Sequence, residues 1–100
     1  MQESLFSSEV PKQREVSSIL AERRNQHGAF AENARLTELF VAAAKTSQNW
    51  KRLPPSLRQA LVMGWHKDAR IMSGDFLLLD HWNDKAGYAE LGARAAAGLK

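Results

Sequence analysis

The residues of this chain best suited to chemistry are charges that fall where helical spacing calls for apolar side chains. Ala60, Gly64, Lys67 and Ile71 recur at intervals of four, three and four residues, so on a helix Lys67 shares a face with small and apolar side chains that let another helix come close. Asp84, Tyr88, Leu91 and Ala95 recur in the same way and aim a carboxylate at the interior. A charge taken out of water is costly unless it is paired and hydrogen-bonded. Two inward charges on consecutive helices therefore predict one of two arrangements: a salt bridge that fixes helix register, or a polar pocket between helices, the usual place for a site in a bundle. Arg70 lies one turn from Lys67, and Asp80 one turn before Asp84, extending either arrangement.

The three histidines raise a second chemistry. With the third and fourth helices as antiparallel neighbours, His66 and His81 would join Asp80 or Asp84 as mixed nitrogen and oxygen ligands for zinc or another transition metal, with Asp80, His81 and Asp84 as the metal set. The chain has no cysteine, which excludes disulfides, thiolate nucleophiles and cysteine-ligated zinc. It also has no His-Glu-x-x-His, no glycine-rich phosphate loop and no nucleophile elbow.

Four helices must position these groups. The first is predicted to start near Ser8 to Pro11 and to run through Val16, Ile19 and Leu20 to about Asn25, with Arg23 and Arg24 in a last turn where positive charge suits the helix dipole. Gln26, His27 and Gly28 end it with a glycine exit. A second helix, about Phe30 to Lys45, carries Leu36, Leu39, Phe40, Ala43 and Ala44 on one stripe. Thr46 to Pro55 reads as an ordered loop in which Trp50 plugs the core. A third helix, about Pro55 to Ser73, is apolar on several faces at its centre, which places it in the middle of a bundle, and Gly74 ends it. The fourth runs from Asp80 or His81 to about Ala97. No segment alternates convincingly with period two, so the expected fold is all-α: a four-helix bundle-like domain.

A hydrophobic fraction of 44% with 25% charged residues is that of a folded protein. One hundred residues make a single domain, here 11–100 behind a mobile N-terminus of residues 1–10, with a core modest enough that a second copy is expected to cover exposed helix faces. The net charge of +3 is spread among interleaved acids and bases, which disfavours nucleic acid as a partner. No run approaches the ~18 apolar residues that span a bilayer, and Met1 to Pro11 has no basic region followed by an apolar core, so a cytoplasmic chain without membrane contact is expected.

Several short runs carry a resemblance. Ile19-Leu-Ala-Glu-Arg, His27-Gly-Ala-Phe with Asn33, Ala60-Leu-x-Met, His66-Lys67-x-x-Arg70, Ser73-Gly74-Asp75 and His81-Trp82-x-Asp84-x-Ala86-Gly87-Tyr88-Ala89 occur in an order that resembles a family of short bacteriophage and prophage proteins of unknown function. That family is in turn similar, more remotely, to the MazG-type all-α nucleoside triphosphate pyrophosphohydrolases, whose paired helices use Glu-x-x-Glu and Glu-x-x-Asp to hold magnesium against a nucleotide's phosphates. The resemblance carries over Asp84, from His81-x-x-Asp84. It departs at His66-Lys67-x-x-Arg70, where cations stand in place of acidic ligands.

The resemblance implies a dimeric helical scaffold, in the host-cell cytoplasm if phage-encoded, that binds a nucleotide or phosphorylated metabolite with or without hydrolysis. Lys67 and Arg70 would face phosphate, with Asp84, His66, His27 and Asn33 as polar lining. An enzyme on this plan would be a pyrophosphohydrolase using magnesium or another divalent metal. The alternative is a noncatalytic module that binds a protein partner and whose buried charges serve the fold.

Overall fold

A computed structural model describes residues 13–99. Four helices follow in order, α1 (Gln13–His27), α2 (Phe30–Lys45), α3 (Pro55–Ser73) and α4 (Leu79–Gly98), with a single 3₁₀ turn at Trp50–Arg52 before α3. There is no strand among the described residues, so the protein is all-α. The expectations for residues 1–10 and for a helix start near Ser8 to Pro11 lie outside the described residues.

Local chemistry explains the boundaries. α2 carries Glu32 in its first turn and Lys45 in its last, each matched to the helix dipole. Its C-terminal carbonyls are satisfied by Thr46 Oγ1, which donates to the Ala43 oxygen, and Ser47 Oγ, which donates to the Ala44 oxygen, both at 2.7 Å. Pro55 opens α3 at a position whose N–H has no helical acceptor, and Gly74 closes it. The 3₁₀ turn is held from α3. Arg58 Nη2 donates to the carbonyls of Leu53 (3.0 Å) and Trp50 (3.3 Å), and its guanidinium lies 5.3 Å from the Trp50 ring centroid. Trp50 stacks on Trp65 with centroids 6.1 Å apart, so this aromatic pair joins the α2–α3 connection to the body of α3.

α3 is the central element, packed along both α2 and α4. Its hairpin with α4 is antiparallel and close: a Cβ added at Gly92 would stand 3.3 Å from that of Ala60. Two ion pairs bridge the hairpin, Lys67–Asp84 at 2.9 Å and Lys85–Asp68 at 2.7 Å.

α1 differs from the expected bundle member. Residues 17–25 are all exposed, including Ile19 and Leu20, and α1 meets the rest of the chain near its last turn. α2 offers only part of its stripe to α3: Leu36, Phe40 and Ala44 are half-buried while Leu39 and Ala43 are exposed. Among the described residues the buried apolar side chains are only Ala69 and Ile71, joined by the polar Thr37 and His81. A single copy thus leaves much of its apolar helix surface in contact with water.

Candidate anion-binding cleft

Two glycines bring the ends of α1 and α3 together. Gly28 has φ +81, a left-handed conformation that a side chain disfavours, and reverses the chain between α1 and α2. It packs against Ser73, while Gly74 packs against the backbone of residues 26–28: a Cβ on Gly74 would lie 2.5 Å from Gly28 N and 2.6 Å from the Gln26 oxygen. Hydrogen bonds fix this contact. Asp75 N–H donates to the Gln26 carbonyl at 3.0 Å, and Asn33 Nδ2 donates to the His27 carbonyl at 2.8 Å. The Ser73 hydroxyl reaches both Asn33 Oδ1 (2.5 Å) and the Ala69 carbonyl (2.8 Å). From α4, His81 Nε2 stands 3.2 Å from the Gln26 oxygen and 3.2 Å from His27 Nδ1.

Beside this junction opens a cleft of about 650 Å³, within the range of small-molecule sites. Arg23, Arg24 and His27 line it from α1, Phe30 and Asn33 from α2, and Arg70 from α3. None of the three arginines forms an ion pair among the described residues. Burial lowers the pKa of His27, with the nearby His81, Arg70, Lys67 and Arg23 adding to the effect, as befits a ring in a cationic setting. α2 begins at this cleft without a side-chain cap, so its free N–H groups add positive potential. The arrangement suits an anion with several oxygens, since guanidinium groups donate in pairs to phosphate or carboxylate.

The residues expected to form one site separate into three groups. His27, Asn33 and Arg70 are brought together at the cleft. Lys67 and Asp84 bind each other: the lysine side chain is 12% exposed and that of Asp84 51%, so the lysine lies inward as its stripe predicts and the carboxylate reaches it from the rim. The inward placement expected of Asp84 fails because α4 turns only part of that stripe toward α3, leaving Leu91 exposed as well. His66 is exposed and apart from both groups. Asn33 serves the junction with both ends of its amide, so its contribution to the cleft is to hold the wall in place.

The proposed metal ligands do not converge. Among the described residues there is no group of three or more His, Asp or Glu side chains able to hold a metal ion. Asp80 is exposed, His81 turns its ring toward α1, and Asp84 is engaged by Lys67. Magnesium requires several hard oxygen ligands in near-octahedral order, and this donor set does not fit it.

Sequence reasoning missed three features. Arg23 and Arg24 read as dipole partners, and only the fold shows that they line one cleft with Arg70. Asp68 and Lys85 look like ordinary surface charges until the register of the hairpin is known. His81 reads as a ligand but is 1% exposed and part of the junction; its one signal is that it shares the family-like pattern with His27-Gly28 and Ser73-Gly74-Asp75.

The Lys67–Asp84 pair has a testable asymmetry. Asp84→Ala strands a nearly buried ammonium, whereas Lys67→Met leaves only a half-exposed carboxylate, so Asp84→Ala should lower Tm further. Equal losses, or the reverse order, in thermal unfolding at neutral pH would reject this account. The hydrogen bond and charge of Lys67 lower the Asp84 pKa from its usual 3.8, so the pair's stabilisation is complete above that value and fades as pH falls through the lowered one.

Compared with protein-family models, with curated proteins and with solved structures, the chain matches none.

Proposed function

We propose that this protein is a helical module that binds a phosphorylated, nucleotide-like small molecule in the cleft between α1, α2 and α3, with no hydrolysis required. The observation that carries the reading is the convergence of Arg23, Arg24 and Arg70, without ion-pair partners among the described residues, on one cleft. Phe30 is 87% exposed at its edge and offers a planar ligand a stacking face. Lys67 and Asp84, paired with each other, serve the fold in this reading, and the phosphate-binding role passes from Lys67 to the arginines. A MazG-like ancestry and a phage source are compatible with a nucleotide-binding helical scaffold, but the ligand reading stands on the cleft. The test is a thermal-shift series with phosphate, pyrophosphate and nucleoside triphosphates in the absence of divalent metal. Stabilisation should grow with the number of phosphates and shrink with added salt. A flat response across the series would reject the reading.

The exposed apolar faces favour a second element of the proposal, that a second copy completes the helical bundle. A groove of about 400 Å³ between α3 and α4 is lined by Leu53, Leu57, Trp65 and Tyr88, with Leu61, 43% exposed, beside Gly64. A Cβ at Gly64 would meet nothing within 4 Å. A knob and a hole one turn apart on the same helix suit a two-fold contact, in which Leu61 of each copy enters the space over Gly64 of the other. Leu61→Asp should weaken the dimer by about 2 kcal/mol, some 30-fold in Kd, in sedimentation velocity. A wild-type chain that sediments as a monomer at every concentration would overturn it.

A further inference from the structure

We propose that His27 and His81 form an acid-sensitive latch that holds the last turn of α1, and with it the Arg23 and Arg24 wall of the cleft, against the start of α4. Its meaning for ligand binding rests on the reading of the cleft given above; the latch itself rests on the junction.

The hydrogen-bond geometry assigns the protons. His81 is 1% exposed, and its Nε2 faces both the Gln26 carbonyl oxygen and His27 Nδ1, each at 3.2 Å. A carbonyl only accepts, so His81 Nε2 carries the hydrogen and donates, and His27 Nδ1 is left to accept. Neutral His27 therefore bears its own hydrogen on Nε2. The two rings meet edge to face, with centroids 4.9 Å apart.

A second proton on His27 breaks this arrangement. It places an N–H at Nδ1 directly against that of His81, and it adds a cation beside Arg23 of α1 and Lys67 and Arg70 of α3. Among the described residues no facing carboxylate relieves the charge. Asp84 of α4 is bound to Lys67, and Asp75 of the α3–α4 connection accepts the Leu77 N–H. α2 presents only the neutral Asn33 amide, which is bound to the His27 carbonyl. Burial and the surrounding cations hold His27 below its ordinary 6.5. A histidine shifted this way contributes its stabilisation in full above 6.5 and loses it as pH falls through the lowered value. Asp84, whose pKa lies below the ordinary 3.8, stays ionised throughout that window and leaves the hairpin intact.

The Asp75 amide reports the latch, because its N–H donates to the same Gln26 carbonyl that His81 holds. Hydrogen exchange followed by NMR on the full chain, free of ligand and corrected for intrinsic rates, should show protection at Asp75 falling at least about tenfold between about pH 7.5 and about pH 5, while Ala69 keeps its protection. His27→Gln should abolish most of that fall. Should the variant fail to fold, ring ¹⁵N shifts of the wild type carry the test: neutral His27 with its hydrogen on Nε2, titrating in step with the loss at Asp75. Protection that stays flat, an equal fall in His27→Gln, or a His27 ring that titrates out of step would overturn the latch. Adding pyrophosphate separates the two readings. Protection regained at acid pH supports both, whereas an acid fall that pyrophosphate leaves unchanged keeps the latch and counts against the cleft as an anion site.

Discussion

Gly74→Ala is expected to destabilise the chain by about 3 kcal/mol or more. The added carbon would lie 2.5 Å from Gly28 N, 2.6 Å from the Gln26 oxygen and 2.7 Å from the His27 carbonyl carbon. All three are backbone atoms, so no side-chain rotation relieves the overlap, and the last turn of α1 must leave α3. That movement would break the bonds of Asp75 N–H and His81 Nε2 to the Gln26 oxygen as well. Gly87→Ala is the matched control. It adds the same methyl within α4 where nothing lies within 4 Å, and replacing a mid-helix glycine with alanine there should be neutral or stabilise by up to about 1 kcal/mol. Denaturant unfolding of the two variants checks the pair; a Gly74→Ala protein as stable as Gly87→Ala would refute the packing described for the junction.

The second large effect concerns the ligand. Arg70→Ala should weaken pyrophosphate binding about 10- to 100-fold, because a hydrogen bond from a guanidinium to phosphate contributes about 1.5–3 kcal/mol. The fold should survive, since Arg70 forms no ion pair among the described residues. Arg70→Lys should recover only part of the affinity, a compact ammonium being unable to donate in parallel as the planar guanidinium does. Lys67→Met provides the contrast: its ammonium is bound to Asp84, so affinity should change far less than in Arg70→Ala. Calorimetric titration at fixed salt is the measurement. Comparable losses in the two variants would move the site back toward the α3–α4 hairpin, and no loss in either would remove the cleft from consideration.

Much of the architecture is written in local signals. Phe30 and Lys45 bound α2 and Pro55 and Ser73 bound α3 as periodicity and punctuation predict, and α4 starts within a residue or two of the expected place. The 3₁₀ turn at Trp50–Arg52 escaped because it is stabilised from outside, by Arg58 reaching back to two carbonyls, and nothing in a three-residue run announces such help. The pairing of Lys67 with Asp84 was legible, since each interrupts an apolar stripe. The cleft was not. Its arginines come from near the C-terminal ends of two helices, each placed where helix-terminal cations are unremarkable, and the packing of Gly28 and Gly74 that lets those ends meet is not visible locally. The burial of His81 was hidden for the same reason, because its partner lies on α1 and the turn between α1 and α2 sets the approach.

The clamp on the Gln26 carbonyl also orders the folding of the molecule. The α3–α4 hairpin closes a short loop and gathers its ion pairs from neighbouring helices, so little chain entropy opposes it. The bond from His81 joins residues 55 positions apart and has no counterpart until α2, α3 and α4 are already assembled. On the contacts of the described residues α1 is expected to dock last and to leave first, which hydrogen exchange along α1 and α3 would check, and the cleft is complete only once α1 has docked. A ligand held there acts on the end of the folding reaction, capturing a helix that the rest of the protein holds by a single turn.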